Sequence, residues 1–246
     1  MDQVDGTAGK WIADALERYL NKERWTDWAG TVAGTIPDHF QAYARILHRV
    51  SGNSSPELRW AEVARAKDTL IHPEVQFHTM ARIALYERVV LDGAEHAPPT
   101  PGELDVIQLA ALGRILAAHC RTDIYQGVWD GWGGFEPGTT EGVPYSQDGT
   151  LNVANGFRRY LVFHGDGEDL ARPPWFDAGM GLNTQSANLA WPEDKSWCVA
   201  TEIDFDSTLV GGSAELIAAV VRSPILEALR VSPATKLTAD ADAVNG

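Results

Sequence analysis

The stretch Leu189–Ser213, LAWPEDKSWCVATEIDFDSTLVGGS, decides how the chain is read. It reads as a turn, then a long strand over Trp197–Phe205, then a hinge at Gly211-Gly212 into a helix with Ser213 at its N-cap. Side chains alternate across a strand. Glu202, Asp204 and Asp206 therefore fall on one face, and Val199, Thr201, Ile203 and Phe205 on the other. The pattern predicts a central, half-buried strand with one apolar and one acidic face. Acids two residues apart on it stand about 6.6–7 Å from each other. Adjacent members could share Mg²⁺ or Ca²⁺ through oxygen ligands, but the outer two reach one ion only if the strand bends. Like charges in a row weaken a strand unless basic neighbours pair with them. Arg158 or Arg159 on an adjacent strand is the candidate partner, and that pairing is a purely structural account of the acids.

Working outward, AYARILHRV at 42–50 alternates large residues and reads as a strand, as do Ile124–Trp129 and Phe157–His164. Helical stripes run over Lys10–Trp28, Trp60–Lys67, Val75–Leu91 and Ser213–Arg222, with one further turn at Ile225–Leu229. Pro101–His119 is the clearest helix, with Thr100 as cap and Pro101 in its first turn. Residues 1–9 and the polar tail around Asp240 and Asp242 read as frayed. Residues 136–150 and 168–190 read as long loops. Strands and helices do not alternate regularly, which argues against a doubly wound fold. The expectation is a single α+β domain over 1–246, a mostly antiparallel sheet with helices packed on it. The Pro/Gly-rich segment 92–102, DGAEHAPPTPG, is the candidate internal boundary.

A formal net charge of −14 and the lack of a Lys/Arg run argue against nucleic acid and fit a basic protein or a cationic ligand better. Two cysteines, Cys120 and Cys198, are too few for a disulfide framework, which suits a reducing compartment. MDQVDGTAGKW at the N-terminus has neither a basic nor an apolar leader region, and no apolar run is long enough to span a membrane. The expected location is the cytoplasm.

Four segments, YARILH at 43–48, the Trp-Asp-Gly turn at 129–131, RRYLVFHG at 158–165 and WPEDKSWCVATEIDFDSTLVGGS at 191–213, resemble a family of actinobacterial proteins with no established activity. The resemblance covers most of the chain and is strongest in the last segment. It implies a bacterial cytosolic origin and supplies no catalytic residues to carry over.

Asp204-Phe-Asp206-Ser-Thr208-Leu209 also looks like the DxDxT nucleophile motif of haloacid-dehalogenase-type phosphatases. There Asp204 would attack phosphorus, Asp206 would act as general acid and base, and carboxylates would hold Mg²⁺. Against this, the motif normally opens that fold, and here the only later Lys and Asp near workable spacing, Lys236 and Asp240, lie in the tail. His72 and His78, and His119 beside Cys120, lack zinc-ligand spacing. No G-x-S-x-G, G-x-G-x-x-G or Walker sequence occurs, although a Ser-His-Asp triad needs no sequence proximity. No cofactor is expected.

The remaining feature is Trp129-Asp130-Gly131-Trp132-Gly-Gly-Phe135, which with Trp175 and Trp191 offers aromatic walls for a sugar, a base or a peptide Pro. Such residues more often plug the end of a sheet. The candidate ligand-binding residues are Trp129, Asp130, Trp132 and Trp191. Taken together, these features point to a non-catalytic binding or regulatory domain for a protein or small molecule, with no nucleic acid or membrane partner. The alternative is a metal-dependent hydrolase or phosphoesterase using Glu202, Asp204 and Asp206, so whether the chain is an enzyme stays open. A self-assembling structural protein is the third reading.

Overall fold

The computed structural model describes residues 1–19, 30–52, 57–132, 149–175 and 185–246. Its strands in chain order are β1 Asp2–Val4, β2 Ala42–Leu47, β3 Ser51–Gly52, β4 Val89–Leu91, β5 Ala94–Ala97, β6 Ile124–Trp129, β7 Leu151–Val153, β8 Arg158–Gly165, β9 Leu189–Pro192, β10 Cys198–Ala200, β11 Ser207–Gly212 and β12 Ala228–Val231. The helices are α1 Lys10–Glu17, α2 Val32–Thr35, α3 Trp60–Lys67, α4 Phe77–Ala81, α5 Val106–Ala118 and α6 Ala214–Arg222. Nine strands form one sheet in the order β1-β8-β6-β9-β10-β11-β2-β12, with β7 also on β8. Every pairing is antiparallel. The architecture is therefore the α+β class read from the sequence, and no helix among the described residues is long and apolar enough to cross a membrane.

The period of two sorts the strand residues onto two cores. Ala44, Ile46, Val199 and Val210 face Leu109, Leu112 and Leu116 of α5 and Leu216, Ile217 and Val220 of α6. Tyr43, Cys198, Ala200 and Leu209 face the opposite way, onto Ile12 and Leu16 of α1 and onto Tyr160 and Trp191. A third cluster, with Trp60, Val63, Phe77, Met80 and Val89, joins α3 and α4 to the small sheet of β3, β5 and β4.

Several segments differ from their sequence reading, each for a local reason. The helix read from Pro101 begins at Val106, and its cap is Asp105, whose carboxylate accepts from the N–H groups of Ile107 and Gln108. Gly102, at φ +71°, instead turns the chain so that its N–H donates to Phe205 O over 2.9 Å. The helix read over Val75–Leu91 stops at Ala81, where Arg82 takes a left-handed backbone (φ 56°). Beyond it β4 and β5 form a hairpin. Leu91 pairs with Ala94 across Asp92 (φ 49°) and Gly93 (φ 81°), a two-residue turn of the type that Asp-Gly favours. Residues 92–97 thus belong to a hairpin, and the loop of the 92–102 segment is confined to residues 98–102.

Ile225–Leu229 is not a helical turn. Ser223-Pro224 ends α6, and β12 then lies along β2 as the edge strand. Neither terminus is frayed. β1 pairs with β8, and the tail is tied down by Asp242, which accepts from Gln76 N over 3.1 Å and lies 2.8 Å from His72 Nε2. The sequence reading of α1 as far as Trp28 extends outside the described residues beyond Tyr19. The long loop at 168–190 contains a 3-10 turn at Gly167–Ala171 that packs on α5, and its middle is outside the described residues.

Candidate functional site

The long strand read over Trp197–Phe205 is one short strand, β10, followed by a loop that leads into β11. β10 ends at Ala200, which pairs with Leu209 of β11, so the acidic residues lie in the connection. Thr201 and Thr208 close its neck, their hydroxyl oxygens 2.9 Å apart. Inside the loop Asp204 N–H donates to Glu202 Oε2 over 2.7 Å, and Phe205 N–H to Glu202 O over 3.1 Å. The expectation of three acids along one strand face is overturned. A straight strand would align three carboxylates; the turn separates them and lets two arginines from different strands each take a share.

Arg158 of β8 takes the first two. Its Nε donates to Glu202 Oε1 over 2.8 Å and its NH2 to Asp204 Oδ2 over 2.7 Å. The Glu202 side chain is 3% exposed and that of Asp204 is 69% exposed, so one acid is enclosed and the other stands at the rim. Burial pushes the Glu202 carboxyl above its ordinary range, with Arg158 pulling in the other direction. The Arg158 guanidinium also lies over the rings of Phe157 (4.7 Å) and Trp129 (5.7 Å).

Arg45 of β2 takes the third. Nε donates to Ser207 Oγ over 2.9 Å, NH1 to the carbonyls of Val75 (2.8 Å) and Pro73 (3.2 Å), and NH2 stands 3.5 Å from Asp206 Oδ1. Its side chain is 1% exposed and that of Asp206 is 23% exposed. Burial pushes the Asp206 carboxyl upward while Arg45 opposes the shift.

A buried relay runs behind the loop. His48 Nδ1 lies 2.9 Å from Thr100 O and Nε2 2.9 Å from Thr208 Oγ1. A carbonyl only accepts, so Nδ1 carries the proton, Thr208 donates to Nε2, and Thr201 donates to Thr208. This resembles a nucleophile paired with a base. Thr201, His48 and Thr208 are all enclosed, however, so the relay holds the loop rather than meeting a substrate.

The aromatic candidates divide. Trp129 and Trp132 meet edge to face at 5.6 Å, and both bond Asn188 Oδ1, through Trp129 N–H (2.9 Å) and Trp132 Nε1 (3.1 Å). Asn188 in turn donates to Thr201 O over 2.9 Å. The two tryptophans are therefore brought to the acidic loop, where they brace its base. Asp130 pairs with Arg159 over 2.7 Å. Trp191 is not with them: it is fully buried and stacked on Tyr125 at 5.5 Å, because its position on β9 points into the α1 core. Trp175 is also buried, donating from Nε1 to Gln185 O. Phe135 lies outside the described residues.

Beside the loop is a cleft of about 220 Å³. Asp204, Phe205 and Asp206 form one side, the segment Gln76–His78 with Leu85 and Tyr86 another, and Pro98, Pro99 and Pro101 a third. Leu237–Ala239 of the anchored tail close it. A larger hollow of about 390 Å³ lies between α1 and the β7–β8 turn, but Lys10 there is already paired with Asp14 and no buried charge reaches it. The cleft at Asp206 is where polar and aromatic groups converge. The sequence reading does not single out Arg45 or Tyr86, and weighs His78 only for zinc-ligand spacing. Arg45 had a signal, a charged residue in the middle of an otherwise apolar strand; the other two come from a segment read as helix.

Asp204 and Asp206 bond different arginines, so the DxDxT spacing does not produce a converging pair. Among the described residues no group of three or more His, Cys, Asp or Glu side chains is placed to hold a metal ion. No protein-family model matches the chain, and neither a curated protein nor a solved structure does.

Proposed function

We propose that the protein is a cytosolic bacterial binding or regulatory domain, and that its ligand enters the cleft beside Asp206. The cleft carries the proposal. One carboxylate reaches its floor, aromatic and proline side chains wall it, and the groups around it are fixed by hydrogen bonds before any ligand arrives. The division of the three acids between Arg158 and Arg45 supports binding over hydrolysis, because it leaves no pair of carboxylates facing a common reacting centre. The resemblance to actinobacterial proteins is the basis for the bacterial cytosolic assignment.

A fragment panel of amines, carboxylates and neutral compounds, read by thermal shift, tests the proposal. A ligand stabilises the native state by mass action. Ala239, exposed at the cleft edge, offers a blocking variant, Ala239→Trp. Fragments that stabilise the wild type but not the blocked form are the expected result. A panel with no stabilising member, or one whose hits are indifferent to the block, overturns it.

A further inference from the structure

We infer that residues 238–246 form a strap over the cleft, hinged at Leu237, latched by Asp242 and released as one unit. This adds a gate to the binding site proposed above and rests on that reading.

The strap is fastened at its two ends and free between them. At the hinge Lys236 N–H donates to Glu74 Oε1 and Leu237 N–H to Gly30 O, each over 3.0 Å, and the Leu237 side chain is buried in the core under α1. Among the described residues, the backbone hydrogen bonds of 238–241 stay within the strap. Ala241 N–H donates to Thr238 O over 2.9 Å, and Ala243 N–H to Ala241 O over 3.0 Å. Ala239 and Asp240 are exposed. Yet this span closes the cleft, through Thr238 and Ala239 beside Leu237. A wall with no bond to the body behind it moves with its ends.

The far end hangs on one buried carboxylate. Asp242 accepts from Gln76 N–H (3.1 Å), Val244 N–H (3.2 Å), Asn245 N–H (3.0 Å) and Asn245 Nδ2 (2.9 Å), and lies 2.8 Å from His72 Nε2. Asn245 then clasps Leu70: its Oδ1 accepts from Leu70 N–H over 2.9 Å, and its Nδ2 donates to Leu70 O over 3.0 Å. Apolar packing adds little there, since Val244 is 57% exposed. Hydrogen bonds that share one acceptor are lost together when it leaves. The hinge, by contrast, keeps a buried leucine. The strap therefore opens from the Asp242 end, with the sheet intact. Opening widens the cleft at its Thr238–Ala239 wall, and a molecule seated against that wall holds the strap shut.

Native-state amide hydrogen exchange of the full chain tests this without a ligand. Gln76 and Leu70 belong to the body, and their N–H groups are bonded directly by the strap. Both should show protection at least tenfold below that of the amides paired between β2 and β11. Their opening free energies should agree with each other and depend little on urea, as for a local opening. Asp242→Asn, which keeps the shape and removes the charge, should lower protection at both by about tenfold. If that variant fails to fold, the wild-type measurement decides alone. Gln76 protected like the β2–β11 amides and with their urea dependence, or Gln76 and Leu70 opening with different free energies, overturns the strap. A fragment that stabilises the wild type should raise protection at both amides. One whose effect is blocked by Ala239→Trp but which leaves both amides unmoved overturns the gate. A silent fragment panel beside a concerted opening overturns the binding function and still establishes the strap.

Discussion

Arg158 Nε and Glu202 Oε1 lie 2.8 Å apart in the interior, joining β8 to the acidic loop across 44 residues of chain. Removing one member of such a pair strands a buried charge. Arg158→Met should therefore cost about 3–5 kcal/mol in urea unfolding, more than an exposed ion pair is worth. The double variant Arg158→Met/Glu202→Leu should recover much of that loss, since no buried charge is then left unpaired and Asp204, which also loses Arg158, stands exposed to water. A double variant as unstable as the sum of the singles would show that the pair is not coupled.

His48 sets an acid limit. Burial pushes its imidazole down to about 4, so the native state keeps it neutral while the unfolded chain titrates it near the ordinary value of about 6.5. The folded pKa is the lower one, so the stabilisation is complete above about 6.5 and is lost as pH falls toward 4. Its size is about 3 kcal/mol. Glu202 and Asp206, whose carboxyls are pushed up, act in the opposite sense: they favour the native state more as pH falls from neutrality through their raised pKa values toward the ordinary range of about 4. The clean readout is thus a difference. Denaturation free energies of wild type minus His48→Asn, taken at pH 7 and pH 5, should narrow on acidification. A difference that is constant with pH would contradict the neutral relay.

Gly211 is a packing position and not a hinge. A Cβ there would lie 2.6 Å from Phe40 Cδ2 and 2.8 Å from Ile36 Cδ1. Gly211→Ala should destabilise the protein by about 1–3 kcal/mol through overpacking. A neutral result in thermal or urea unfolding would return the hinge reading to consideration.

The architecture was legible wherever a segment's pattern matched its neighbours' needs. AYARIL, IYQGVW and RRYLVFHG alternate and are strands. Ser213 caps α6 as read, its Oγ accepting from Leu216 N–H. The acidic segment misled because Glu-Ile-Asp-Phe-Asp alternates like a strand while being a loop. What bends it, Arg45 and Arg158, lies far away in sequence. The hairpin at 89–97 was legible in principle from Asp92-Gly93, but the helical reading of 75–91 absorbed its first strand. The site was legible in part. Asp204, Asp206, Trp129 and Trp132 do meet around one loop, and Arg158 is the pairing partner the sequence suggested. Tyr86 and the proline wall carry no motif and join the cleft only through tertiary folding.

The tail should be coupled to the cleft. Burial pushes the Asp242 carboxyl up, but its hydrogen bonds with Asn245, Gln76 and His72 outweigh that and leave it below the usual range. A lowered folded pKa means the contribution is present above about 4 and is lost as pH falls below it. Asp242→Ala should cost about 2–3 kcal/mol and weaken any cleft ligand, since Leu237–Ala239 would lose their anchor. Retained affinity in a destabilised Asp242→Ala protein, by calorimetry, would separate the tail from the site.

The most direct test of the proposed binding cleft is amide chemical-shift mapping with a fragment that stabilises the wild type. Saturable shifts at Phe205, Asp206, Tyr86 and Thr238, absent in Ala239→Trp, are the expected result. Shifts confined to the hollow around Asp5, Asp14 and Asn152, or no saturable shifts at any concentration of the ligand, would contradict a binding cleft at the acidic loop.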